Sequence, residues 1–179
     1  DDKFDNLKIY QNKNFKFDLF FAISHGVHRG VLKKGKSDDR EKFIKKIYGS
    51  NSEIRCNIFG INNKQPIWAE EFKENLSISK MALNLSQGKA SKFYSSDRIA
   101  QLIGNGILTF INNDTRLYKI FKKNEVVFYS DHKDLYEKII YFKKNDLKRI
   151  KIAKNGRNKY HKFMNSKTIS SYMINKIFN

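Results

Sequence analysis

Cysteine, proline, acidic side chains and long apolar runs are scarce in this chain, and each scarcity excludes something. Cys56 is the single cysteine, so no internal disulfide forms. The four histidines, His25, His28, His132 and His161, are too scattered to complete a zinc site around it. Lying between Arg55 and Asn57 in a strand-like run, Cys56 is expected to pack. No segment approaches the roughly 18 apolar residues that cross a bilayer, and Asp1-Asp2-Lys3 has none of the apolar character of a secretion signal. A cytoplasmic protein is therefore expected. Acids are outnumbered, 18 Asp and Glu against 36 Lys and Arg, for a net charge of +18. A single proline, Pro66, alongside abundant Lys, Asn and Ile makes coding bias one source of that excess.

What is present suffices to fold. A length of 179 residues is that of one domain, and 40% hydrophobic with 14% aromatic residues supply a core despite the charge. The charge is uneven, because residues 143–179 carry nine Lys and two Arg against one acid, Asp146, a net +10. Such a tail binds nucleic acid or an anionic membrane through phosphate contacts, or is a solvated helical face.

Strand-like and helix-like segments alternate. Asp18 to Ser24 is a short, nearly continuous apolar run, the pattern of a strand covered on both faces. Asp38 and Glu41 form a capping pair for a helix with Phe43, Ile44 and Ile47 on one side, ended by Gly49. Strands follow at Ile54 to Ile61, Met81 to Leu85, Ile107 to Ile111 and Val126 to Tyr129. Helices are expected from Ala69 to Ser79, after a cap at Ser95 or Ser96, over Thr115 to Lys122, from Asp131 or His132, and through the remainder. Five or six strands separated by helices predict an α/β, Rossmann-like parallel sheet with helices on both faces. Residues 1–17 read as a linker or edge segment.

In such sheets ligands bind where strands end. The first strand ends at Ser24-His25-Gly26-Val27-His28-Arg29-Gly30, where Gly26 and Gly30 let backbone N–H groups approach an anion and Arg29 offers a fork for phosphate oxygens. His25 and His28 are spaced to face a ligand, without a third metal ligand. The second loop, Asn84-Leu85-Ser86-Gln87-Gly88-Lys89, leads to Ser95-Ser96-Asp97-Arg98-Ile99-Ala100-Gln101. Ser95 and Ser96 open a helix whose start favours an anion. Arg98 is unfavourable for that dipole, which marks it for a ligand, and Gln101 one turn on suits a sugar hydroxyl. A plain N-cap with solvated neighbours is the structural alternative for the same residues.

The stretches Met81-Ala82-Leu83-Asn84-Leu85-Ser86, Ser96-Asp97-Arg98 through Gln101 to Gly106-Ile107-Leu108-Thr109, Val126-Val127-Phe128-Tyr129 with Asp134-Leu135, and Arg149-Ile150, Ala153, Asn155-Gly156-Arg157 and Tyr160 carry a resemblance. From about residue 18 to the end, the chain resembles the carboxyl-terminal, donor-binding half of the glycosyl transferases group 1 superfamily, in its bacterial surface-polysaccharide branch. The resemblance implies one half of a double-Rossmann glycosyltransferase. Residues 18–179 would bind a nucleotide-sugar donor, and an amino-terminal half preceding Asp1 would hold a glycan or lipid-linked acceptor. The resemblance together with the loop placement puts Arg29 and Arg98 on the donor diphosphate, Ser95 and Ser96 at the helix start beside it, Gln101 on the ribose and Asn62 near the nucleobase. His25, Gly26, Gly30, Asn84 and Ser86 complete the expected donor-binding set. The family's carboxylate three residues after the arginine is Gln101 here, and its paired glutamate falls at Phe93, so the acidic pattern is absent. No Asp-x-Asp occurs, and neither metal nor cofactor is expected. The alternatives are a basic nucleic-acid-binding module, although Lys prevails over the Arg that reads bases, and a non-catalytic nucleotide-sugar-binding domain. Peripheral membrane contact, at the inner face, is the expected use of the tail.

Overall fold

The computed structural model describes residues 4–23, 39–49, 53–61 and 64–178. Its framework is a five-stranded sheet of β1 (Phe17–Ala22), β2 (Cys56–Phe59), β3 (Ser79–Asn84), β4 (Leu108–Asn112) and β5 (Val127–Tyr129), in spatial order β2-β1-β3-β4-β5. Every pairing is parallel, with Leu19 opposite Cys56 and Met81, Ala82 opposite Thr109, and Phe110 opposite Val127. Parallel neighbours require crossovers, and the helices α1 (Asp39–Tyr48), α2 (Ala69–Ser77), α3 (Asp97–Gly104), α4 (His132–Lys144), α5 (Asp146–Phe163) and α6 (Ser166–Phe178) supply them or follow the last strand. The α/β, Rossmann-like reading of the sequence holds.

Alternation along each strand sends successive side chains to opposite faces. Leu19, Phe21, Met81, Leu83, Leu108, Phe110, Val127 and Tyr129 form one core with Ile44 and Ile47 of α1 and Leu135, Ile139 and Phe142 of α4. Phe20, Ala22 and Ala82 form the other with Leu76 of α2 and Leu102 of α3, continued by Ile99, Ile103, Ile111 and Phe128. Two buried faces explain why the strands read as unbroken apolar runs.

The edge where strands begin is closed by α5. Arg149 of α5 is fully buried there, donating to Asp146 at 2.7 Å and to the Lys80 carbonyl at 3.4 Å, with Phe15 stacked 4.8 Å away. Gly156 faces the Glu125 carbonyl just before β5, so closely that a Cβ would stand 2.2 Å from it. Residues 4–16 hold a single 3-10 turn, Ile9–Gln11, and no strand. They pack beneath α3: Ile9 is buried, its N–H reaches the Asn105 carbonyl at 2.9 Å, and Asn105 Nδ2 reaches Asp5 at 3.4 Å.

One local expectation fails. The helix expected over Thr115 to Lys122 is two 3-10 turns, Asn113–Thr115 and Leu117–Lys119, broken at Arg116, whose φ of 56° no α-helix accommodates. The helix expected from Asp131 or His132 is α4, and the remainder is helical as expected, in two helices, α5 and α6, separated at Met164 and Asn165.

Candidate functional site

The opposite edge, where the strands end, gathers the polar side chains. Asn84 closes β3 and is buried, with its Oδ1 unmatched among the described residues. The chain then turns through Leu85 and the half-buried Ser86, passes Gly88 at φ 68°, and enters α3. Phe93 sits at φ 61°, pinned by its N–H to the Thr115 carbonyl at 2.7 Å. This left-handed residue turns the loop back over the sheet and leaves Phe93 and Tyr94 about half exposed.

Ser96 is the N-cap of α3 in extended geometry, yet its hydroxyl makes no capping bond and is buried with no partner among the described residues. Capping by Ser96 is therefore positional, and Ser95 is exposed. A hydroxyl that neither caps nor meets solvent is a donor in reserve for an oxygen beside the helix start.

Arg98, in the first turn of α3, turns inward across the strand ends. Its Nη1 donates to the Leu85 carbonyl at 2.9 Å, and its guanidinium stands 5.5 Å from the centre of the Phe21 ring. No carboxylate pairs with it among the described residues. Burial, with a smaller contribution from the nearby Arg40 charge, pulls its pKa down to about 10. It remains cationic at neutral pH, held by one carbonyl and one ring face with donors to spare. Gln101 is exposed, and the bond made at that residue is through its carbonyl to Asn105 Nδ2, 2.8 Å. The structure thus groups Arg98, Ser96, Ser86 and Asn84 about the end of β3, with Gln101 exposed one turn further along α3. His25, Gly26, Arg29, Gly30 and Asn62 lie outside the described residues, as do His28 and Asp38.

Sequence reasoning missed Arg40. Arg40, Ile44 and Ile47 are the buried residues of α1, spaced i, i+4, i+7, so they form one inward stripe with Arg40 at its upper end. Helix α1 follows β1 and starts at the edge where β1 ends. The signal was a charged residue in register with an apolar stripe.

Cys56 packs as expected: burial, helped by Asp18, pushes its thiol up to about 12. Among the described residues no three His, Cys, Asp or Glu side chains gather about one point that would suit a metal ion, and no helix is long and apolar enough to cross a membrane. A surface cleft of about 620 Å³ lined by Lys122, Glu125, Asn155, Lys159 and Phe163 lies at the opposite edge. Strand-end chemistry, not that concavity, locates the site.

No curated protein and no solved structure matches the chain. The profile of a family described as glycosyl transferase-like matches residues 38–174. That span runs from the start of α1 into α6 and takes in all the strands except β1. The match covers well over half of the chain, and the chain belongs to the glycosyl transferase-like family.

Proposed function

We propose that this glycosyltransferase domain holds a nucleoside-diphosphate sugar across the ends of β1 and β3, for transfer of the sugar to a glycan or similar acceptor. The observation that carries the reading is Arg98: a buried guanidinium, fixed by the Leu85 carbonyl and Phe21 and unpaired with any described carboxylate, directed over the strand ends. In the transfer, the bond between the sugar's anomeric carbon and the diphosphate oxygen breaks. A bond to the acceptor oxygen forms, and the acceptor's proton leaves to a base. Negative charge grows on the departing diphosphate, where a preorganised cation and the N–H groups at the start of α3 stabilise it. Ser96 donates its unused hydroxyl to the same oxygens. Ser86 and Asn84 border the sugar, and Gln101 reaches the ribose by its amide.

His25, Gly26, Arg29, Gly30 and Asn62, outside the described residues, are proposed from the sequence alone as further donor contacts, Arg29 for the phosphates and Asn62 for the nucleobase, and Ser95 flanks the helix start. These guanidinium and N–H donors replace a divalent ion, so the transfer is metal-independent. The acceptor lies on an amino-terminal half. The stretch after Asp146, which has no acid, and the exposed Ile169, Tyr172, Met173 and Ile177 of α6 support a peripheral contact with an anionic membrane.

Thermal shift tests the donor site. A nucleoside diphosphate at 100 times its dissociation constant stabilises by about 2.7 kcal/mol, or roughly 5–11 °C at this size. R98Q should lose that shift. A folded sample unmoved by uridine, guanosine, adenosine, cytidine or thymidine diphosphate overturns the assignment.

A further inference from the structure

We propose that Phe93 and Tyr94, on the loop between β3 and α3, form a stacking platform for a sugar ring of the acceptor, so that this domain supplies one wall of the acceptor cleft facing the amino-terminal half. Resting on the transfer reading, which supplies the glycan, the platform adds a second binding site beside the donor's.

Phe93 is held at φ 61°, a left-handed conformation that a bulky side chain rarely adopts. Neither the turn nor the core asks for a ring there. Gly88 of the same loop takes φ 68° without that strain. The bond that pins the turn, from the Phe93 N–H to the Thr115 carbonyl at 2.7 Å, is a backbone bond that glycine makes equally well. Nor is the ring packed away, since Phe93 is 47% exposed and Tyr94 52%. Strain kept for a half-exposed aromatic pair points to a ligand rather than to stability.

Position names the ligand. The loop is closed at its base by the bond from Arg98 Nη1 to the Leu85 carbonyl, 2.9 Å, and at Phe93 it hangs on the turn that follows β4. With the strands in the order β2-β1-β3-β4-β5, both rings therefore lie on the β4 flank of the donor site, away from β2. Lys119 backs the Phe93 ring, its Nζ 6.0 Å from the centre. Tyr118 of the same turn is 50% exposed, its ring set edge-on against Phe128 at 6.2 Å. A donor sugar tied to its diphosphate stays beside the inward-turned Arg98, whereas rings open to solvent suit an extended chain arriving from outside. Aromatic faces are electron-rich and attract the C–H face of a sugar ring, and the tyrosine hydroxyls offer it hydrogen bonds.

The experiment titrates linear oligomers of glucose, galactose, mannose and N-acetylglucosamine, and separately nucleoside diphosphates, into the full chain, F93G, F93W and R98Q. Stacking on a ring face does not depend on one pattern of hydroxyls, so wild type should bind at least one series of oligomers. F93G should weaken that binding about three- to tenfold, the range of one aromatic contact, with Tm unchanged or raised because glycine takes the left-handed φ freely. F93W should bind as wild type does or more tightly, and R98Q should keep the oligomers while losing nucleoside diphosphates. Oligomer affinity unchanged in F93G overturns the platform. So does a F93G protein weakened toward nucleoside diphosphates instead, since the ring then serves the donor. A folded wild type that binds nucleoside diphosphates but no oligomer overturns the platform alone, and the reverse pattern overturns the donor reading while the platform stands. Should F93G lose Tm, Y94A, with Phe93 in place, decides, and unchanged oligomer affinity there overturns the platform.

Discussion

Replacing Gly156 with alanine tests how α5 closes the sheet. Within an exposed helix the change from glycine to alanine stabilises by about 1 kcal/mol. Here the sign should reverse. A Cβ on Gly156 would lie 2.2 Å from the Glu125 carbonyl oxygen and 3.4 Å from the Ile103 side chain. An ordinary contact needs over an ångström more, and neither partner yields easily. Asn155 Nδ2 bonds the Asn124 carbonyl at 3.1 Å, Lys159 bonds Glu125 at 2.9 Å, and Glu125 accepts from the Lys122 N–H at 2.7 Å. Forcing a methyl into a packed contact costs about 1–3 kcal/mol, occasionally more. With a 2.2 Å approach to a backbone carbonyl oxygen the cost falls at the upper end of that range, and less the helix gain of about 1 kcal/mol it leaves a net loss of about 2 kcal/mol, or roughly 4–8 °C in Tm at this chain length. Urea denaturation should show a lower midpoint at an unchanged slope. Gly88→Ala is the control: its Cβ meets open space, so only its left-handed φ of 68° is penalised. A G156A protein as stable as wild type refutes the close crossing of α5 over the start of β5.

Asp18 sets an acid limit. Burial raises its carboxyl, but hydrogen bonds from Arg55 and the Lys143 cation outweigh that and hold it below the usual range. A depressed folded pKa contributes stability above the unfolded value of about 3.9 and loses it as pH falls through the folded one. Stability should therefore drop below about pH 4, and D18N should flatten that limb in urea titrations from pH 3 to 7; an unchanged limb contradicts the pairing. Cys56, its thiol near 12, should react with a thiol reagent at pH 8 on the order of a thousandfold more slowly than in urea, and equal rates would show it is not buried as described.

How much of this was legible follows from the range of each interaction. The strands were readable because burial on both faces leaves runs such as Leu19 to Ala22 continuously apolar. The α3 loop was readable because Ser96-Asp97-Arg98 is a local motif. Strand order was not, since placing β1 between β2 and β3 depends on crossovers rather than on any residue. Arg149 counted as one charge in a basic tail and as part of the family-like pattern, whereas it is a buried tie between α5 and the start of β3. Asn155-Gly156-Arg157 and Tyr160 drew attention as family-like, and their work is structural: Gly156 permits the crossing, and Tyr160 packs beside α3. Thr115 to Lys122 is expected to be helical, but Arg116 in a left-handed conformation separates it into two 3-10 turns. Arg40 was hidden because a charged residue in a helix's first turn ordinarily faces solvent, and only its register with Ile44 and Ile47 marks it as buried.

The central claim is a donor diphosphate held by Arg98. Isothermal titration of nucleoside diphosphates into the wild-type chain and R98Q, with both shown to be folded, addresses it without needing an acceptor. Saturable binding to wild type that weakens by about tenfold or more in R98Q is predicted, the loss expected for a charge-assisted hydrogen bond. Equal affinity in the two proteins, or heat that vanishes uniformly as salt is raised, would contradict it.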